Sequence, residues 1–168
     1  APETTKAFMK LAENGYYDGV CVNNVSNSVV EFGGYKWDNG KLVKNDKNGE
    51  KIEGEFADAG LIGGSLTTSS SGVLVMKRDK GDSDEAYNSA TGNVAITTAS
   101  ASGYYPKDSY CIFGRLAMDD ASDNPKESYS DSSKINRTGK SSLDVFKTIT
   151  NLVTEKETDD ISVNVYYD

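Results

Sequence analysis

The chain has 168 residues, with 26 acidic and 18 basic side chains and a formal net charge of −8. The length suits one domain, taken here as residues 1–168, able to bury roughly two thirds of the unfolded chain's surface. No run approaches the ~20 apolar residues of a membrane helix, and an acidic chain without a basic cluster is not built to bind phosphates, so neither membrane span nor nucleic acid is expected. There is no histidine. That rules out a Ser-His-Asp triad and a zinc site using His, and it removes the usual general base near neutral pH. No metal and no cofactor are expected. The lack of histidine and the acidity point to a bacterial, exported or cell-surface protein.

Pro2 stands where a helix begins, a place at which its missing N–H costs nothing. Phe8, Leu11 and Ala12 then recur at helical spacing, which predicts a helix over about 3–14 ended by Asn14-Gly15. Gly19 to Val25 reads as a strand with Val20, Val22 and Asn24 on one face. Val29 to Phe32 reads as a second strand, which Gly33-Gly34 breaks while letting another backbone come close. Residues 36–54 alternate Lys, Asp, Asn and Gly around few apolar residues, a hairpin or loop. Val73 to Met76, Asn93 to Thr97 and Ile112 to Leu116 are short apolar runs between turn residues, hence strands. Cys21 and Cys111 sit in such runs and read as buried free thiols, with a disulfide between them as the alternative. Polar stretches at about 79–92 and 119–142 read as surface insertions. Beyond them Leu143, Phe146, Ile149, Leu152 and Val153 mark an amphipathic helix capped by Ser141 or Ser142. Ile161, Val163 and Val165 alternate with polar residues in a last strand. The sum is a mainly antiparallel β domain with two helices.

Several fragments carry a family pattern. Residues 1–19, APETTKAFMKLAENGYYDG, combine an A-P-x-T helix start with G-Y-Y-D-G. Gly54 to Asp58 reads GEFAD, Leu66 to Met76 reads LTTSSSGVLVM, and Asn93 to Thr97 reads NVAIT. Phe113-Gly114-Arg115 and the run SLDVFKTI from Ser142 to Ile149 follow. In this order and spacing the chain resembles the cyclophilins, the β-barrel prolyl isomerases, from Ala1 to about Tyr167. The resemblance implies an antiparallel β-barrel with two flanking helices. The family's N-terminal hairpin is absent from this chain, so either the hairpin lies outside it or another segment fills its place.

Prolyl isomerisation must lower a barrier of about 20 kcal/mol set by amide resonance. The family's arginine donates to the prolyl nitrogen and so favours the twisted state over the planar one. The resemblance places Asn24 at that arginine's position. It places Val29 and Val30 at the Phe and Met of the proline pocket, and Phe32 at a glutamine that touches substrate backbone. Lys77-Arg78 replace an Ala-Asn pair, Asn93 a second glutamine, Ala95 a pocket phenylalanine and Tyr110 a histidine. Tyr104 or Tyr105 supplies an aromatic where the family has Trp or His-Leu.

Asparagine has no charge and a shorter reach, so Asn24 reads as a solvated strand residue rather than a catalyst. Val29, Val30 and Ala95 read as packing residues, and Phe32 as filling space beside small neighbours. Arg78 would restore a guanidinium only by swinging over the pocket. The expectation is a cyclophilin-like domain that acts on or binds proline-containing peptides or proteins, with isomerase activity weak or lost. The alternative is a non-catalytic protein- or peptide-binding module on the same fold. A hydrolase or glycan-binding domain would need a strand-anchored carboxylate pair, and no defined spacing supplies one.

Overall fold

The structure, a computed structural model, describes residues 1–45 and 50–116. The expected insertion at 119–142, late helix and last strand lie outside the described residues. The chain divides into two compact units, residues 1–114 with 164–168, and residues 115–163. The elements below belong to the first, save the last residue of its final strand.

Helix α1 (Pro2–Glu13) begins with Pro in its first turn and ends at Asn14, followed by Gly15 at φ 68°. Ala1 supplies no side-chain cap. The carboxylate of Glu55 takes that role, accepting the N–H of Glu3 at 3.1 Å and of Thr4 at 2.6 Å. Two donors that every helix start leaves orphaned are thereby satisfied.

The strands are β1 (Val20–Val25), β2 (Val29–Asp38), β3 (Lys41–Lys44), β4 (Val73–Met76), β5 (Val94–Thr97) and β6 (Ile112–Arg115). They form one sheet in the order β1-β2-β5-β4-β6, with β3 also paired to β2. The pairs β1–β2, β2–β3, β2–β5 and β4–β5 are antiparallel. The mainly antiparallel β fold holds, as an open sheet among the described residues rather than a closed barrel.

The glycine pair does not end its strand. β2 continues to Asp38, and the β1–β2 register slips between Val20–Lys36 and Val22–Phe32, so Gly33-Gly34 form an irregularity inside the ladder. Another backbone does come close there. Gly33 has φ 99°, and a Cβ on it would lie 2.7 Å from the carbonyl oxygen of Gly92. The strand then turns at Asn39 (φ 47°) and Gly40 (φ 80°) into β3. Two left-handed residues match the twist of the flanking strands. The polar stretch at 79–92 contains a short helix, α2 (Asp84–Tyr87), capped by the Ser83 hydroxyl accepting the N–H of Ala86 at 3.3 Å.

Alternation along the strands sorts the core into two clusters. Phe56, Met76, Val94 and Cys111 form one with Ile52 and Ala90, packed by Phe8 and Leu11 of α1. Val29, Val73, Val75, Ala95, Ala101, Tyr105 and Ile112 form the other. Cys21 and Cys111 are both buried and free, as expected.

Candidate functional site

The register sets one row of residues across four strands. Asn24 of β1 pairs with Glu31 of β2, Glu31 with Ala95 of β5, and Ala95 with Val75 of β4. Directly paired residues share a face of a sheet, so the row lies on the same side as Val29. Over it opens a cleft of about 810 Å³, within the roughly 300–1,000 Å³ typical of ligand sites.

Seven of the positions singled out in the sequence line this cleft: Asn24, Val29, Lys77, Arg78, Tyr104, Tyr105 and Tyr110. The other four are absent from its lining. Val30 is buried in β2, one residue out of phase with Glu31. Phe32 packs towards α1, its ring 5.8 Å from that of Tyr17. Asn93 lies against Gly34, where its Nδ2 would be 3.0 Å from an added Cβ. Ala95 is fully buried beneath the floor, among Val29, Val75 and Tyr105.

Glu31 is the feature that residue-by-residue reading passed over. It is the one buried charged residue among the described residues, at 6% exposure. Its Oε1 accepts the Tyr105 hydroxyl at 2.6 Å, and its Oε2 pairs with the Lys77 ammonium. A buried carboxylate is costly unless both oxygens find partners, and here each does. Burial, then the hydrogen bond to Glu31 and its charge, push the Tyr105 hydroxyl well above its ordinary range, so it stays a donor. The signal was available in the run Val29-Val30-Glu31-Phe32. Period-two alternation puts Glu31 on the same face as Val29. Its partner was not legible, because Lys77 lies 46 residues away in sequence.

Arg78 does not reach over the cleft. Its Nε donates to the Ser109 carbonyl at 2.9 Å, and its Nη1 to the carbonyls of Asp79 at 2.7 Å and Gly81 at 2.9 Å. The guanidinium also lies 4.6 Å from the ring of Tyr110, 5.0 Å from Tyr87 and 5.4 Å from Phe56. Three carbonyls and three ring faces hold it as a joint between segments. Asn24 is exposed at the cleft edge. A second hollow of about 510 Å³ lies beside α1, lined by Ala7, Lys10, Leu11 and residues 50–53, and it contains none of the candidate positions. No group of three or more His, Cys, Asp or Glu that could hold a metal ion occurs among the described residues.

The family described as "Cyclophilin type peptidyl-prolyl cis-trans isomerase/CLD" matches residues 1–123. Among solved structures, a cyclophilin type peptidyl-prolyl cis-trans isomerase of Cryptosporidium parvum is 18% identical. That match covers 99% of this chain and 85% of the other, with a TM-score of 0.54, a likeness of fold. A second structure from the same organism, in the presence of the dipeptide Ala-Pro, is 25% identical and covers 73% of this chain and 68% of the other, with a TM-score of 0.46. No curated protein matches.

Proposed function

The chain belongs to the cyclophilin-type peptidyl-prolyl cis-trans isomerase family, and on that premise we propose that its cleft binds proline-containing peptides, with isomerase turnover weak or lost. One observation carries the second half. At the position of the family's arginine stands the exposed Asn24, and the nearby guanidinium of Arg78 is engaged by carbonyls and rings. Isomerisation needs no covalent step, only tighter binding of the twisted imide than of the planar one. Without a cation at the imide nitrogen, peptide binding survives better than rate enhancement.

The binding half rests on shape and lining. The cleft offers Val29 and the rings of Tyr104, Tyr105 and Tyr110 beside polar groups. Such a mixture suits a ring of modest size flanked by backbone amides. If turnover does survive, its use would be in protein folding, where X–Pro isomerisation takes tens to hundreds of seconds uncatalysed.

The test is proline exchange spectroscopy of N-acetyl-Ala-Ala-Pro-Ala-amide with the whole chain, alongside amide chemical shifts of the protein. Shifts at Asn24, Val29 and Tyr110 with little added exchange are expected. Exchange at rates typical of an efficient enzyme would overturn the weak-activity reading. No shifts around the cleft at high peptide concentration would remove the peptide site.

A further inference from the structure

We propose that Lys77, held by Glu31, is the cationic donor that this cleft presents to the backbone of a bound proline peptide. The inference rests on the reading of the cleft as a peptide site and adds the residue that does the holding.

Three cations line the cleft: Lys77, Arg78 and Lys80. Arg78 is occupied by three carbonyls and three rings. Lys80 is exposed. Lys77 differs from both. Its ammonium carries three N–H groups. One goes to Glu31, while the side chain keeps 26% exposure into the cleft. Glu31 is itself fixed at its other oxygen by Tyr105 at 2.6 Å. The carboxylate is thus clamped from one side and orients the ammonium on the other.

The position matters as much as the charge. Glu31 is the register partner of Asn24. Side chains paired in this way begin about 4.5–5.5 Å apart at Cβ. The Lys77 ammonium is therefore tied to the register neighbour of the residue that replaces the family's arginine, and both line the same cleft. It arrives from the opposite direction, past the end of β4 and across β5. A cation absent from β1 is supplied to the same row from elsewhere in the sheet.

The chemistry it can perform is limited in an informative way. An ammonium is a compact point charge without the planar fork of a guanidinium. Already paired with a carboxylate, it has little net charge to offer an acidic side chain. It suits a neutral acceptor, such as a peptide carbonyl next to proline. No proton is transferred and no bond is made or broken. The occupant is thus an uncharged stretch of peptide backbone around proline.

The test uses the whole chain and N-acetyl-Ala-Ala-Pro-Ala-amide. The double variant Glu31→Gln/Lys77→Met removes the donor without leaving a lone buried charge. It is expected to bind the peptide at least about tenfold more weakly. Lys77→Arg, which keeps a donor paired to Glu31, is expected to retain most of the affinity. A merely structural pair would tolerate that exchange as well, so the readout that separates the two roles is the shift of the Lys77 side-chain resonances of the parent on peptide titration. A double variant that is folded and binds within about twofold of the parent overturns the proposal, given the size of a charge-assisted hydrogen bond. If the double variant unfolds, the parent decides through its Lys77 side-chain resonances. Their shift on titration supports the proposal, and their constancy while Val29 and Tyr110 shift overturns it. Absence of any cleft shift in the parent is a different failure, that of the peptide site itself, and it removes the donor role with it.

Discussion

The two faces of the sheet are organised by different rules. The face under α1 is dry and aromatic. Phe56, Met76 and Val94 are almost wholly buried there, and packed against them Phe8 meets Tyr17 and Phe113 at centroid distances of 5.2 and 5.1 Å. The face under the cleft has smaller apolar residues, Val29, Val75 and Ala95, and sets a carboxylate, an ammonium and a phenol among them. Apolar burial alone would stabilise either face. A polar network beneath an open cleft costs desolvation that the apolar cluster of the other face avoids, which fits the proposal that this is the peptide side.

Substitutions can break that contrast. The largest effect is expected from Phe56→Ala, which leaves a cavity in the dry face and removes a ring from beneath Arg78. A loss of about 3–5 kcal/mol in urea unfolding is expected, with the protein near its limit of stability. Next comes Glu31→Ala, which strands the Lys77 ammonium and the Tyr105 hydroxyl. Because Lys77 is partly solvated, a loss of roughly 2–3 kcal/mol is expected rather than the full cost of a buried charge. Glu31→Leu combined with Lys77→Met should recover most of that stability while weakening peptide binding. Recovery of both together would erase the distinction between the faces.

Smaller effects sharpen the comparison. Arg78→Lys keeps the charge but loses the fork and the stacking, and about 1–2 kcal/mol of thermal stability should go with it. Peptide affinity should change little, since the guanidinium is not offered to the cleft. Glu55→Gln weakens the α1 cap by about 1 kcal/mol. Burial alone would raise the Glu55 carboxyl, but the N–H groups of Thr4 and Glu3 outweigh it and hold it below its usual range. A depressed carboxylate contributes stability that is complete above its unfolded value and lost as pH falls through the folded one. Unfolding curves between about pH 6 and pH 3 should therefore be shallower for Glu55→Gln than for the parent.

Local elements were legible where the signal was local. Pro2, the Phe8–Leu11 spacing and Asn14-Gly15 placed α1 to within a residue at each end. β4 came from an uninterrupted apolar run, and β5 and β6 to within one residue. The glycine pair was read rightly as a close approach and wrongly as a strand end. Positive φ at Gly33 lets the ladder bulge and resume, and no single-strand pattern reports on that. The site was legible only in part. Seven named positions line one cleft, two of them on strands and the rest on the segments that follow β4 and β5. What holds them was not visible. Arg78 is set by Ser109 and the rings of Phe56 and Tyr110 from distant segments, and Glu31 by a lysine and a tyrosine brought in by topology. Pairings over such separations exist only once the sheet is assembled.

The crossing at Gly33 has a bearing on redesign. Even an alanine there meets both an unfavourable φ of 99° and a carbonyl at 2.7 Å, on the same strand that carries Glu31 two residues earlier. Retuning this cleft for a new peptide is best done at its outer rim, at Asn24, Lys80 and Tyr104, which are all exposed. The glycine is the hinge pin to leave untouched, since anything larger would shift the floor before any new ligand arrived.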